Sequence, residues 1–447
     1  MLTGAQLLVA SFAGLVAAGT AGLLWLPGLY TATDLGFVDA LFTATSAVCV
    51  TGLIVVDTAT YFTFWGQLWI LLLIQAGGLG ILTFTTLTLT ALGRRASLHM
   101  EEAAGGEAAY LRHIESKGLL RTVMTVTFAL EAVGAVLLWI LWRQELGAGG
   151  AIWHAVFNAV SAFCNAGFST FSDSLMGFQG QVSVLLVVSA LVVTGGLGFI
   201  VLEDLRVRFL HRETRRLSVH TRLVLTTTAF LLVVAWGAFA AFEWTGQLAT
   251  LNVDDKLANA AFMSVTPRTA GFNSVDYAAV SNASLFLTVI LMLVGGSPGS
   301  TAGGFKTVVL ALLFLALAAR LRGEEDVHVF DRTVPRATLY RAAGLVVGGL
   351  LILGGAVFAL LVTEVGAVPM GDREAFTMLV FEAHSAFGTV GLSMGSTPAL
   401  STLGRLVVTA LMFLGRVGPT AVVAAMTVAV ERRRADFRYG HEDVIVG

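Results

Sequence analysis

Four short stretches decide the fold: SAVCVTGL at 46–53, SAFCNAGF at 161–168, VTPRTAGF at 265–272 and SAFGTVGL at 385–392. Each ends an apolar segment of 8–12 residues, too short to cross a bilayer, with a small-residue turn closing on glycine. Aligned on that residue, Gly52, Gly167, Gly271 and Gly391 fall into register, 115, 104 and 120 residues apart. A second marker follows each one: GGLG from Gly77, GGLG from Gly195, GGSPGSTAGGFKT from Gly295 and GRVGPT from Gly415. These begin 25, 28, 24 and 24 residues beyond the turn glycine. Two markers holding their spacing through four copies define a fourfold internal repeat.

The rest of the chain tells what medium surrounds the repeats. Of 447 residues, 56% are hydrophobic and 13% charged. A soluble domain carries about 25% charged residues, so a water-soluble surface is excluded, and so is disorder. Net charge is −2, which implies no basic face for nucleic acid. Two cysteines make no disulfide framework. The uncharged opening segment, 5–33, lacks a basic leader region and is expected to be a retained helix.

Eight apolar stretches are long enough to cross a bilayer: 6–29, 65–93, 121–142, 182–204, 221–243, 284–319, 342–364 and 404–430. No strand-like alternation supports a barrel. Lys and Arg concentrate in 94–121, 206–222, 320–341 and 432–438, which hold 20 of the 27. Such loops lie in the cytoplasm, so both termini are expected there. The fold class is an all-α polytopic membrane protein with four tandem helix–pore-loop–helix units, pseudo-fourfold around one pore. Repeats 1 to 4 cover 1–95, 115–209, 220–322 and 338–434, and 435–447 form a tail. Each unit has two full spans, so all four share one orientation and can surround one axis.

Non-helical backbone at membrane depth is tolerated where it lines a cavity or is buried in protein. Four glycine turns around an axis present a ring of backbone carbonyls. Such rings replace the hydration shell of an alkali cation. Each half-helix aims its negative C-terminal end at the cavity, which favours cations. The expected filter is Val50-Thr51-Gly52, Asn165-Ala166-Gly167, Thr269-Ala270-Gly271 and Thr389-Val390-Gly391.

These turns and the GGSPGSTAGGFKT run resemble the Trk/Ktr/HKT superfamily of potassium transporters, over nearly the whole chain. Eight spans, the first starting near residue 6, are most similar to the Ktr membrane subunit. The resemblance implies a potassium filter at Gly52, Gly167, Gly271 and Gly391. Some plant members with serine at the first position favour sodium, and Gly52 stands there here. It also implies a homodimer with one pore per protomer, docked on a separate cytoplasmic ring of nucleotide-binding subunits. Segments 94–120, 206–222 and 320–341 would be the docking surface, and Tyr439 to Gly447 resembles tails that contact the partner protomer.

Gly295, Gly296, Ser297, Pro298, Gly299, Ser300, Thr301, Ala302, Gly303 and Gly304 interrupt the third inner helix. Pro298 alone costs about 3 kcal/mol in a helix interior. The segment is expected to be a loop, and the resemblance implies that it obstructs the pore below the filter. Arg416 falls where the other repeats have their second marker glycine. A mid-membrane Arg needs a partner; the loop carbonyls would make it a latch, and Glu131 is the alternative partner. Lys306 is expected to reach toward the cytoplasm. Arg268 should turn behind the filter, to backbone or to Asp254 or Asp255. Cys49 and Cys164 read as small packing residues, and His384 and Asn158 as locally satisfied.

Enzyme chemistry is excluded. GSTAGGFKT misses the phosphate-loop pattern because Phe305 separates glycine from Lys306. No cofactor is implied; potassium is cargo. The alternatives are a sodium-selective relative, or a carrier in which sodium or protons are coupled or activating. Coupling would call on an acidic relay, for which Glu131 is the candidate.

Overall fold

The computed structural model describes residues 4–80, 116–210, 217–330, 332–364 and 373–418. Most of the expected docking segment 94–120, the end of the first inner helix, residues 419–434 and the tail 435–447 lie outside the described residues.

One unit recurs four times. The first has outer helix α1 (Gly4–Trp25), half-helix α2 (Phe37–Val48), one turn α3 (Thr58–Tyr61) and inner helix α4 (Phe64–Gly78). The second has α5 (Ser116–Trp142), half-helix α6 (Ala148–Cys164), α7 (Val182–Leu197) and α8 (Phe199–Leu210). The third has α9 (Val219–Glu243), half-helix α10 (Val253–Val265), α11 (Asn282–Leu293) and α12 (Thr307–Leu321). An antiparallel hairpin, β1 (Val327–Val329) and β2 (Arg332–Val334), leads to the fourth: α13 (Arg336–Thr363), half-helix α14 (Arg373–Gly388) and α15 (Thr402–Val417). The sequence does not signal that hairpin, which is short and sits in a charged loop.

Among the described residues, four single helices are long and apolar enough to cross a membrane, and all are outer helices: Gln6–Trp25, Val123–Trp142, Val219–Glu243 and Arg336–Thr363. Only 28%, 28%, 28% and 17% of their apolar windows are buried, which leaves a broad apolar surface exposed. Phe230, Val233, Leu351 and Phe358 form part of that exposed apolar surface. The half-helices have the opposite environment. Five of the last eight residues of α2 are Ala, Ser or Thr, and all of Thr43 to Val48 are buried. Small side chains let these helices approach the centre closely.

Two expected continuous spans are broken. Stretch 182–204 bends by 98° between α7 and α8. Gly198 stands at the bend with φ +88, and an added Cβ would meet the Pro298 carbonyl at 2.6 Å. The amide of Phe199 donates to the Gly299 carbonyl (3.0 Å). A helix end left unpaired by the break therefore finds its partner in the third repeat's loop. Stretch 284–319 is split by that same loop into α11 and α12.

The units close into a ring because each inner helix packs on the next half-helix: α4 on α6, α7 on α10, α11 on α14, and α15 back on α2. Across the last seam Arg405 pairs with Asp39 at 2.5 Å and donates to the Pro398 carbonyl at 2.9 Å.

Two glutamates fasten outer helices to inner ones. Glu364, ending α13, accepts from the amide (3.1 Å) and hydroxyl (2.7 Å) of Ser401, the N-cap of α15. Glu243, ending α9, accepts from the amide of Ser281 (2.9 Å), the N-cap of α11. Both carboxylates are buried, and each meets the positive end of a helix. Glu364→Ala should destabilise the protein by about 1–3 kcal/mol, read as a lower Tm in detergent. Glu364→Gln should lose less, and equal Tm values for Glu364→Ala and the parent would contradict the staple.

Candidate functional site

The four turns share one backbone shape. Val50, Asn165, Thr269 and Thr389 are left-handed, with φ of 57°, 59°, 72° and 50°. Gly52, Gly167, Gly271 and Gly391 are also left-handed, at 93°, 70°, 79° and 94°, and the residues between are not. Non-glycine residues rarely adopt this conformation, and four at matched positions mark a strained site held by its surroundings.

A hydroxyl behind each turn holds that shape. Ser46 Oγ donates to the Leu53 carbonyl (2.7 Å) and accepts from the Gly52 amide (3.1 Å). Ser161 donates to the Phe168 carbonyl and Thr266 to the Phe272 carbonyl, both at 2.6 Å. Ser385 Oγ accepts from the Gly391 amide at 3.1 Å. The sequence shows these hydroxyls near the start of each motif but assigns them no role. Their partners lie across a turn whose shape is a tertiary result.

The turns meet in chain order. A Cβ on Gly52 would strike the Ala166 carbonyl, and one on Gly167 the Ala270 carbonyl. One on Gly271 would strike the Val390 carbonyl, and one on Gly391 the Thr51 carbonyl. Every glycine Cα thus rests against the next repeat's backbone, and the fourth returns to the first. Absence of a side chain is what allows the closure.

The second set of glycines has a related cause. A Cβ on Gly77, Gly195 or Gly415 would collide with the carbonyl of Val48, Phe163 or Phe387, each in the last turn of a half-helix. In the third repeat Gly295 instead meets the carbonyl of Gly303, from the inserted loop.

Loop 295–304 sits directly under the turns. Its ends are joined by Gly295 N to Phe305 O (2.9 Å) and Phe305 N to Leu293 O (3.1 Å). Ser297 and Thr301 amides donate to the Gly196 and Gly195 carbonyls (2.9 and 3.3 Å). The Thr301 hydroxyl donates to Phe163 O (3.2 Å) and accepts from Asn165 Nδ2 (3.0 Å). Arg416 is buried and bridges two carbonyls, that of Thr301 in the loop and that of Gly77 on α4 (2.7 Å).

Arg416 does not pair with Glu131. That carboxylate accepts from Gln75 Nε2 (3.3 Å) and lies 3.8 Å from the Cys164 thiol. Cys164 is therefore part of a polar cluster and not a plain packing residue; both cysteines are free thiols. Arg268 donates to the Gly295 carbonyl (3.4 Å), whereas Asp254 and Asp255 lie at the opposite end of α10. Lys306 turns back to donate to Ala302 O (2.7 Å) in place of the expected reach outward, because loop carbonyls lack helical partners. His384 Nδ1 meets Val380 O at 2.7 Å, and Asn158 Nδ2 meets Thr170 Oγ1 at 3.0 Å. Among the described residues no three His, Cys, Asp or Glu side chains gather as a metal site. The ring offers hard carbonyl oxygens instead, the ligand type of alkali cations.

Fold and site together define a polytopic helical membrane protein in which four re-entrant units bring their glycine turns together in chain order. The family model for TrkH, a cation transport protein, matches residues 5–434, and the chain belongs to that family. It is a cation transport protein and not an enzyme. It is similar to the potassium/sodium uptake protein NtpJ of Enterococcus hirae, 39% identical over 100% of this chain and 98% of the relative. It is likewise similar to the Ktr system potassium uptake protein B of Bacillus subtilis, at 38% identity over 95% of this chain and 93% of the other. The same-named protein of Vibrio alginolyticus is 36% identical over 93% and 89%. The crystal structure of the potassium transporter TrkH from Vibrio parahaemolyticus has the same fold, with TM-score 0.73, 18% identity, and 94% of this chain and 84% of that one covered.

Proposed function

We propose that this chain takes up potassium across the cytoplasmic membrane through the ring of turn carbonyls, with loop 295–304 as gate and Arg416 as its latch. The observation that carries the reading is the closure of the four glycine turns in chain order. Backbone oxygens of Val50-Thr51-Gly52, Asn165-Ala166-Gly167, Thr269-Ala270-Gly271 and Thr389-Val390-Gly391 would replace water around the ion. Half-helices α2, α6, α10 and α14 end at the ring, so their negative ends stabilise a cation there without an acidic side chain on the path. Both termini are placed in the cytoplasm by the distribution of Lys and Arg.

Regulation belongs to a second component. Relatives named as protein B of a Ktr system fit a chain that works with a further component; the homodimer docked on a cytoplasmic nucleotide-binding ring is what the resemblance to the Ktr membrane subunit implies. In segment 320–341 the docking surface would include the β1–β2 hairpin. That hairpin is braced on α9 by Arg222, whose guanidinium lies 3.9 Å from the Phe330 ring centre.

Sodium passage is a second reading, because a relative 39% identical is a potassium/sodium uptake protein. Rubidium and sodium tracer uptake in a potassium-uptake-deficient strain separates the two. The parent chain should restore growth at low potassium and favour rubidium. Gly52→Ser and Gly271→Ser should each lower rubidium uptake about tenfold or more and narrow the preference over sodium. Selectivity unchanged by both substitutions would overturn the filter assignment.

A further inference from the structure

Loop 295–304 does not treat the turns alike. A Cβ on Gly303 would collide with Thr389 Oγ1, and one on Gly295 would sit 3.4 Å from Thr269 Cγ2. Both of those threonine hydroxyls lack a hydrogen-bond partner, so the contacts with the third and fourth turns are steric. Arg268, just before the third turn, meets Gly295 at the end of the loop (3.4 Å). The second turn is gripped from the middle of the loop. Asn165 Nδ2 donates to the Thr301 hydroxyl (3.0 Å), and that hydroxyl donates to the Phe163 carbonyl (3.2 Å). One loop side chain therefore holds the last turn of α6 and the first, left-handed residue of the filter turn together.

The second repeat is also where the loop is seated. Amides of Ser297 and Thr301 donate to Gly196 and Gly195, and the amide of Phe199 donates to Gly299, so the bonds straddle the break between α7 and α8. A Cβ on Gly195 would collide with the Phe163 carbonyl and lie 3.1 Å from Thr301 Oγ1. The glycine thus lets α7, α6 and the loop meet at one point. Thr301 and Asn165 are each 1% exposed, so water does not substitute for their bond. The Thr301 carbonyl accepts from Arg416, which puts the latch and the grip on one residue.

We infer that Thr301 is a positioning residue for the filter: with the loop seated, its hydroxyl fixes the second turn through Asn165, so the ring's affinity for its cation follows the state of the gate. Withdrawal of the loop removes the partner of Asn165 and frees the turn that it begins. Conduction needs an ion held firmly enough to enter and weakly enough to leave. A bond present only in the closed state supplies that difference on one side of the ring. By linkage, a cation in the ring favours the seated loop to the same extent.

This inference rests on the reading of the ring as the potassium site, and the test separates the two. Potassium binding to the purified full chain is measured by calorimetry in the parent, Thr301→Val, Thr301→Ser and Asn165→Gly. Valine keeps the branched shape without the hydroxyl, serine keeps the hydroxyl, and glycine keeps the left-handed backbone without the amide. The dissociation constant should rise about fivefold in Thr301→Val and in Asn165→Gly, the loss of roughly one hydrogen bond. Thr301→Ser should stay within about twofold of the parent. Thr301→Val/Asn165→Gly should bind no more weakly than either single variant, because both remove the same bond. Either single variant carries the test if the other does not fold. A lower Tm with an unchanged dissociation constant would make Thr301 merely structural and overturn the inference. Additive losses in the double variant would overturn it too, since the two residues would then act separately. Potassium binding absent from the parent, or unaltered by Gly391→Ala, would instead overturn the ring itself.

Discussion

Gly391→Ala should abolish potassium uptake, lowering rubidium flux into proteoliposomes by at least about 100-fold while the protein remains folded. Two costs coincide at this position. Its φ is +94, where a residue with a Cβ is strained, and the new methyl would collide with the Thr51 carbonyl. The fourth turn must then retreat from the first at the seam where the ring closes. Displacements of about 1 Å at an oriented site commonly cost about 100-fold in rate, and ion coordination by fixed carbonyls is at least as demanding. Gly395→Ala is the matched control. It has φ +86, but nothing lies within 4 Å of its added Cβ. It carries the backbone strain without the collision and should keep most of its flux. If Gly391→Ala conducted within twofold of the parent, the ring would not be the ion path.

Arg416→Gln should raise flux in the resting state about tenfold or more. Its guanidinium holds the loop through Thr301 and anchors on Gly77 of the first repeat. Hydrogen bonds from a charged donor contribute about 1.5–3 kcal/mol each, and 1.4 kcal/mol shifts a two-state population tenfold. The same charge stands under the ring, where it opposes a passing cation. Arg416→Lys separates the two effects: it keeps the charge but lacks the planar fork that reaches two carbonyls at once. It should leak less than Arg416→Gln and more than the parent. Resting and activated flux both unchanged in Arg416→Gln would sink the latch.

The repeat was legible because membrane proteins leave few ways to place glycine. Gly52, Gly167, Gly271 and Gly391 stand in register since each must meet a neighbouring backbone. The same cause explains Gly77, Gly195 and Gly415, although the sequence could not say what each approaches. Composition alone made 295–304 a loop, for nine of its ten residues are Gly, Ser, Pro or Thr. The bend at Gly198 was not legible. An apolar run from 182 to 204 reads as one span, and only the Pro298 and Gly299 carbonyls of another repeat make the break stable. Glu243 and Glu364 were likewise opaque, since a Glu at the end of an apolar run looks like an interfacial charge until its helix N-terminus is known.

Low charge and apolar runs of bilayer length were enough to establish the membrane class, and four registered glycine turns were enough to propose the repeat and the residues at its centre. Those are properties of period and composition, which one dimension carries. Partner choice for the buried charges was settled only in three dimensions. Arg416 and Arg268 bond loop carbonyls instead of Glu131, Asp254 or Asp255, because a loop forced into the membrane interior exposes backbone acceptors that no helix satisfies. Which carbonyls those are depends on how four distant segments meet, and that is decided by packing.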